Sequence, residues 1–369
     1  MSPSRFPRVT SRMKTRVTTG FGDDKGLRSG LVIHASRRYN PLLDEWVLCS
    51  PGRLKRPWLG EREMVPVEAP RPFDPTCSLC PGNARAEGAR NPDYRGVYLF
   101  DNDYPALTGN SRAVDRAAHP LLVEEGESGR CRVISFSERH DLHLGALALE
   151  QVEAIVDAWA YESERLAANA KVAYVQIFEN RGALMGASNP HPHGQIWAVE
   201  HVPTIPRRKA ERLRAYQETN GRDLLGDYLE EELRHRERII EETETFVQLV
   251  PFWAVWPFET MLIPKRLVGS LAELTSEERS DLARLLGRLV RRYDQLFETE
   301  FPYSMGWYER PQGGGGDHRG FRLHSVYLPP LLRSQSVRKF LVGYELTAEP
   351  QRDFTAEEAA ERLRAIAPR

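Results

Sequence analysis

Cysteine is scarce: Cys49, Cys77, Cys80 and Cys131 are the only four in a chain of 369 residues. So thin a set cannot staple a secreted scaffold, and a reducing compartment, the cytoplasm, is expected. Long apolar runs are missing too. None reaches the roughly 18 residues a membrane helix needs, and none near the start has the form of a secretory signal. Charge of one sign is also missing, since 51 basic residues against 52 acidic leave a net charge of −1. No global field draws nucleic acid or an anionic membrane, and neither is expected as a partner. What remains is an ordinary globular composition, 41% hydrophobic and 28% charged, long enough for one large domain or two to three average ones.

The first 22 residues hold Arg5, Arg8, Arg12, Lys14 and Arg16 and no acid. Residues 1–35 read as a disordered basic tail, with an organelle transit peptide as the alternative. Residues 36–90 are rich in turn signals: Asn40-Pro41, Pro51-Gly52, Pro81-Gly82. Two later stretches resemble each other. Val133 to Phe136, an amphipathic helix, and Tyr174 to Phe178 are echoed by Met261 to Pro264, a second helix, and Tyr303 to Trp307. Val152, Ile155, Val156 and Trp159 form an apolar stripe in the first helix; Leu282, Leu285, Leu286 and Leu289 do so in the second. Thr275 and Glu278 make a capping box for the second, and Thr355 and Glu358 make one for a terminal helix. Sliding the chain by about 127 residues superposes the two stretches. The expected fold is therefore α+β: two modules, 36–205 and 206–369, from an internal duplication. Residues 207–245 alternate acids and bases and read as a solvated connecting helix.

The segment Ser188-Asn-Pro-His-Pro-His-Gly-Gln195 offers the clearest chemistry. Pro192 keeps His191 out of helix, so the segment is extended or turning. Gly194 would let a ligand approach the chain closely. Ser188 and Gln195 are neutral donors flanking His193. A neutral imidazole can attack phosphorus while donors take up the charge on its oxygens. A metal pair or a polar turn explains two close histidines equally well. Cys77 and Cys80, before Pro81-Gly82, make a zinc half-site, with a redox dithiol as the alternative. His119, His140, His143, His191 and His201 could complete it. Arg53, Lys55 and Arg56 suit a diphosphate, or are an exposed basic loop. Phe100-Asp-Asn-Asp-Tyr104 suits a base and ribose, and Lys339 to Glu345 alternates like a strand.

Longer motifs then converge. Arg37-Arg-Tyr-Asn-Pro-Leu42, Asn91-Pro-Asp-Tyr94, Phe178-Glu-Asn-Arg-Gly182, Ser188 through Trp197, Trp256-Pro-Phe-Glu-Thr260, Phe301 through Trp307 and Val337 through Glu345 occur in order. The chain resembles the galactose-1-phosphate uridylyltransferases of the histidine triad superfamily. The resemblance implies two histidine-triad-like modules, each an antiparallel sheet with packed helices, and a homodimer with active sites at the interface. It implies ping-pong transfer of UMP from UDP-glucose to galactose-1-phosphate, with His193 as nucleophile and Ser188 and Gln195 holding the transferring phosphoryl. Cys77, Cys80, His140 and His191 would form a closed, structural zinc site. Phe100, Asn102, Asp103 and Asn180 would bind uridine. Arg53 and Arg56 would reach a partner's site, and Lys339, Phe340, Val342, Tyr344, Glu345 and Gln351 would meet the sugar phosphate. Relatives carry a second metal, iron, where this chain has Lys209, Tyr308, His324 and Val326, so no iron is expected. A phosphorylase or adenylyltransferase of the superfamily is the alternative enzyme, though its relatives carry serine where Gly194 stands. A zinc-containing nucleotide-binding protein without turnover is the alternative outside catalysis.

Overall fold

The computed structural model describes residues 35–51, 71–109, 121–313 and 317–368. In chain order the elements are β1 (Ser36–Asn40), β2 (Glu45–Cys49), β3 (Tyr98–Asp101), β4 (Gly129–Ser135), α1 (Leu149–Ala167), β5 (Tyr174–Arg181) and β6 (His193–Val199). Then come α2 (Thr204–Asn220), α3 (Leu224–His235), β7 (Ile239–Glu242), β8 (Phe246–Leu249), β9 (Thr260–Pro264), α4 (Ser276–Leu296), β10 (Tyr303–Tyr308) and β11 (His324–Leu328). The chain closes with β12 (Leu331–Ser334), β13 (Val337–Arg338), the single turn α5 (Tyr344–Thr347), β14 (Gln351–Arg352) and α6 (Ala356–Ala365).

Nine strands form one antiparallel sheet in the order β3-β4-β6-β5-β10-β11-β9-β8-β7. The order is mirrored about the β5–β10 pair, and α4 begins 127 residues after α1. The expected duplication is thus visible as two half-sheets that share their central edges, giving one continuous sheet. Ending each half at an open β5 or β10 edge would leave a row of backbone groups unpaired, and pairing the two edges removes both. The helical stripes behave as their spacing requires. Val152, Ile155, Val156 and Trp159 of α1 and Leu282, Leu285, Leu286 and Leu289 of α4 are all buried in one core on one face of the sheet. Thr275 Oγ1 accepts from the Glu278 amide at 3.2 Å while the Thr275 amide donates to Glu278 Oε2 at 2.8 Å, which starts α4; Thr355 and Glu358 start α6 in the same way.

Two expectations need correction. Residues 207–245 are not one solvated helix. They form α2, α3 and the edge strand β7, and Ala210, Leu213, Leu224, Leu225 and Leu229 pack on the opposite face of the second half-sheet with Val247, Met261 and Ile263. The apolar positions are few among many charges, so the alternation of sign masked a genuinely amphipathic pair. Residues 339–345 are not a strand either. Pairing ends at Arg338, and Gly343, at φ +53°, turns the chain into α5. Of the tail read over 1–35, residues 1–34 lie outside the described residues.

Candidate active site

The face that α2 and α3 cover on the second half-sheet is where the histidine segment lies on the first. Cross-strand register pairs Ser135 with His193 and Val133 with Gln195 between β4 and β6, and Phe178 with Gln195 between β5 and β6. Period-two alternation therefore puts His193, Gln195 and Trp197 on one face with Val133, Phe178 and Asn180. On β3, register with β4 adds Phe100 to this face. Gly194 points the other way. A side chain there would come within 3.1 Å of the Phe178 carbonyl oxygen and 3.2 Å of the Phe136 ring. The glycine serves packing of β6 on the core, not the close approach of a ligand, which corrects the sequence reading. A serine at this position would need its neighbours to give way.

The imidazole of His193 is held by the chain itself. Its Nδ1 lies 2.8 Å from the His191 carbonyl oxygen. A carbonyl only accepts, so Nδ1 carries the proton and Nε2 keeps its lone pair. Burial lowers the pKa of His193 below the ordinary imidazole value, which keeps the ring neutral near pH 7. Gln195 Oε1 accepts from Trp197 Nε1 at 2.9 Å and from Asn102 Nδ2 at 3.4 Å, so its amide nitrogen is left to face the site. Ser188 is exposed in the loop that leads to β6. Asn180 Oδ1 accepts from Ser304 Oγ at 2.7 Å, which ties the first half to β10.

His191 lies in the bend that precedes β6. It joins Cys77, Cys80 and His140 in a cluster whose ligand atoms all lie within 4.8 Å of one another. Cys80 Sγ is 3.5 Å from Nδ1 of His140 and 3.5 Å from Nδ1 of His191. A tetrahedral ion with metal–sulfur bonds of about 2.3 Å and metal–nitrogen bonds of about 2.0–2.1 Å needs edges of roughly 3.5 Å, so the donor set fits. The outer contacts fit as well. His191 Nε2 donates to the Ser137 carbonyl at 2.9 Å and lies 2.9 Å from Ser135 Oγ, which leaves Nδ1 free to ligate. The Leu79 amide donates to Cys77 Sγ at 3.3 Å. Burial holds His191 down to about 4 and pushes the Cys80 thiol up to about 11. The cluster can hold a metal ion. Tyr94 and Ser135, which support His191, were not singled out for this role in the sequence; only the position of Tyr94 in the Asn91-Pro-Asp-Tyr94 motif hinted at one.

The other expected binding residues fall in three groups. Phe100, Asn102 and Asp103 sit together at the end of β3. Arg85, which the sequence reading missed, stacks its guanidinium 3.9 Å from the Phe100 ring centroid and pairs with Asp103. Lys339, Glu345 and Gln351 also meet: Lys339 Nζ donates to Glu345 Oε1 at 2.6 Å and to the Gln351 carbonyl. Phe340, Val342 and Tyr344 around them are more than half exposed. Among the described residues no hydrogen bond joins this segment to Ser188, His193 or Gln195 of the same chain. Arg53 and Arg56 lie outside the described residues.

The four positions of the second metal converge on the covered face. Lys209 Nζ lies 3.0 Å from His324 Nε2 and 3.1 Å from the Tyr308 ring centroid, with Val326 in the same core. A lysine side chain fills this place.

Comparison with known proteins places nearly the whole chain in one family. The model of the galactose-1-phosphate uridyl transferase N-terminal domain matches residues 29–203, and that of the C-terminal domain matches residues 209–369. The galactose-1-phosphate uridylyltransferase of Haemophilus influenzae is 50% identical over 333 residues, 90% of this chain and 95% of that protein. The enzyme of the same name from Rattus norvegicus is 48% identical over 335 residues, 90% of this chain and 88% of that one. A solved uridylyltransferase structure superposes with a TM-score of 0.70 at 27% identity, covering 89% of this chain and 97% of that one.

Proposed function

Since the chain belongs to the galactose-1-phosphate uridylyltransferase family, a family of nucleotidyltransferases, we propose that it moves UMP from UDP-glucose to galactose-1-phosphate through a uridylyl group on His193. One observation carries the assignment of the nucleophile: the 2.8 Å contact from Nδ1 to the His191 carbonyl, which leaves Nε2 with a neutral lone pair. In the first step Nε2 attacks the α-phosphorus, the bond to the bridging oxygen breaks, and glucose-1-phosphate leaves with the electron pair. The imidazole becomes cationic, and its Nδ1–H bond to the carbonyl strengthens as charge develops. In the second step a phosphate oxygen of galactose-1-phosphate attacks the same phosphorus, the P–N bond breaks, and His193 returns neutral. Parking UMP on the protein lets two anionic sugar phosphates use one pocket in turn. The Gln195 amide, fixed by Trp197 and Asn102, and Ser188 are the proposed donors to the phosphoryl oxygens.

Cys77, Cys80, His140 and His191 would hold zinc, which supplies a structural cross-link when bound. Because His191 and His193 are two residues apart, the cross-link would fix the carbonyl that orients the nucleophile. A homodimer is the assembly that the family resemblance implies, and it belongs to this reading; on the His193 face of the first half-sheet, Phe100 and Val133 are covered by the segment of Cys77, Leu79 and Cys80. In a dimer, Arg53 and Arg56, and the exposed segment around Lys339, Phe340, Val342, Tyr344, Glu345 and Gln351, could serve the partner's site as sugar-phosphate contacts. Four free thiols fit a cytoplasmic setting.

The test is mass spectrometry of the intact protein after UDP-glucose is added. A UMP adduct that maps to His193 and disappears on adding galactose-1-phosphate is expected. Full exchange activity with no adduct, or an adduct on another residue, would overturn the reading.

A further inference from the structure

Arg85 lies five residues beyond Cys80, on the tight turn that follows the metal cluster. This turn is rigid. The Arg85 amide donates to the Ala89 carbonyl at 2.7 Å, Asn83 Nδ2 donates to the carbonyls of Asp74 and Cys77 at 2.8 Å each, and Ala84 bridges to Arg90. From it the Arg85 side chain crosses to the end of β3. Its Nε donates to Asp103 Oδ2 at 3.1 Å, and its Nη2 donates to Asp103 Oδ1 and, at 3.0 Å, to the Asp101 carbonyl. The planar fork therefore grips the carboxylate with two bonds and the backbone with a third. The same guanidinium covers the Phe100 ring at 3.9 Å from its centroid. The side chain of Arg85 is only 12% exposed, so this contact is built in rather than a surface pair.

The geometry points to Arg85 as the positioning residue of the nucleoside subsite. It backs the Phe100 ring and fixes the Asp103 carboxylate in one orientation. This inference rests on the uridylyltransferase reading and deepens it. Asp103 is held ionised, first by its hydrogen bonds from Arg85, with its pKa below the ordinary carboxylate value. A carboxylate has about four lone-pair sites. Arg85 takes two, which leaves acceptor positions for a ribose hydroxyl. The neighbouring Asn102 is fixed separately: its Oδ1 accepts from the Tyr104 amide at 2.9 Å, and its Nδ2 reaches Gln195. Arg85 thus joins the turn after the Cys/His cluster to the end of β3, while Asn102 reaches Gln195, which shares the face of His193. Lysine could keep the charge but neither the fork nor the stack.

The test is a comparison of UDP-glucose with its 2′-deoxyuridine analogue in the wild type, Arg85→Met, Arg85→Lys and Asp103→Asn. For Arg85→Met, kcat/KM for UDP-glucose should fall about 10- to 100-fold, as expected when a charge-assisted hydrogen bond is lost. The KM for galactose-1-phosphate should stay within about twofold, because that substrate has no nucleoside. The preference for the ribo over the deoxyribo donor should shrink toward one in Arg85→Met and in Asp103→Asn, and Arg85→Lys should not restore it. Retention of that preference in Arg85→Met at wild-type kcat/KM would overturn the proposal. So would an equal loss for both donors with loss of bound metal, which is what a merely structural arginine would give. If instead the wild type forms no uridylyl adduct, the functional reading fails first, and the two failures are distinct.

Discussion

The backbone carbonyl of His191 accepts the Nδ1 proton of His193 at 2.8 Å, two residues along one segment. The residue that turns its ring into the Cys/His cluster thereby fixes the tautomer of the His193 ring. Replacing His193 with Ala should abolish exchange. Replacing it with Gly should leave a cavity in which added imidazole restores part of the first half-reaction. Because burial lowers the pKa of His193, its acid limb should lie below the ordinary imidazole value of about 6.5. The pH profile of glucose-1-phosphate release measures this, and a limb above that value would contradict a neutral, desolvated nucleophile.

Much of this was legible in the sequence because it is local. Pro192 keeps His191 out of helix, and the strand that follows puts His193, Gln195 and Trp197 on one face. The stripes of α1 and α4 and both threonine caps follow from spacing of three and four residues. What was not legible depends on contacts far apart in the chain. The grip of Arg85 on Asp103 spans 18 residues, and no spacing rule announces it. The amphipathic nature of α2 and α3 was hidden because five apolar positions sit among many ion pairs. The strand reading at Lys339 failed because Gly343 takes a positive φ, which alternation alone does not reveal.

Cys77→Ser should lower bound metal well below that of the wild type and destabilise the chain, since metal binding and folding draw on the same free energy. The loss should be felt at His193, because His191 is then less firmly held. Elemental analysis with chemical denaturation checks this. Wild-type metal content at wild-type stability in the variant would mean that Cys77 is not a ligand.

Lys209 sets a different test. His324 Nδ1 donates to the Arg322 carbonyl at 2.9 Å, so His324 Nε2 must accept from Lys209. Burial holds the Lys209 pKa well below its ordinary value. Between that lowered value and the unfolded value of about 10.4 the unfolded chain binds more protons, so stability rises with pH across the window. Lys209→Met removes the buried amine but leaves His324 Nε2 without a donor, which costs about 1–3 kcal/mol. The methionine variant should therefore compare best with the wild type near pH 7 and worst near pH 10. Urea denaturation at the two values measures the slope, and equal differences at both would show that Lys209 is charged in the folded chain.

Glu309 should show the opposite slope. It follows β10 with 4% exposure, accepts from the Leu271 amide at 2.8 Å through Oε1 and from Ser163 Oγ through Oε2, and so joins the end of the sheet to α1 and to the turn before α4. Burial raises its pKa to about 7. A glutamate in the unfolded chain titrates near 4.3, so between about 4.3 and about 7 the folded chain holds the extra proton, and this contribution to stability falls as pH rises through that window. Above it the carboxylate is charged in an apolar place. Glu309→Gln keeps an oxygen for the Leu271 amide and an amide nitrogen for Ser163, but it cannot ionise. The variant should match the wild type near pH 4.5 and exceed it near pH 8 by about 1–3 kcal/mol, the lower part of what such a pKa difference allows. Denaturation at both values decides it. A glutamine variant less stable at pH 8 would mean that the ionised carboxylate is worth more to Ser163 and Leu271 than its burial costs.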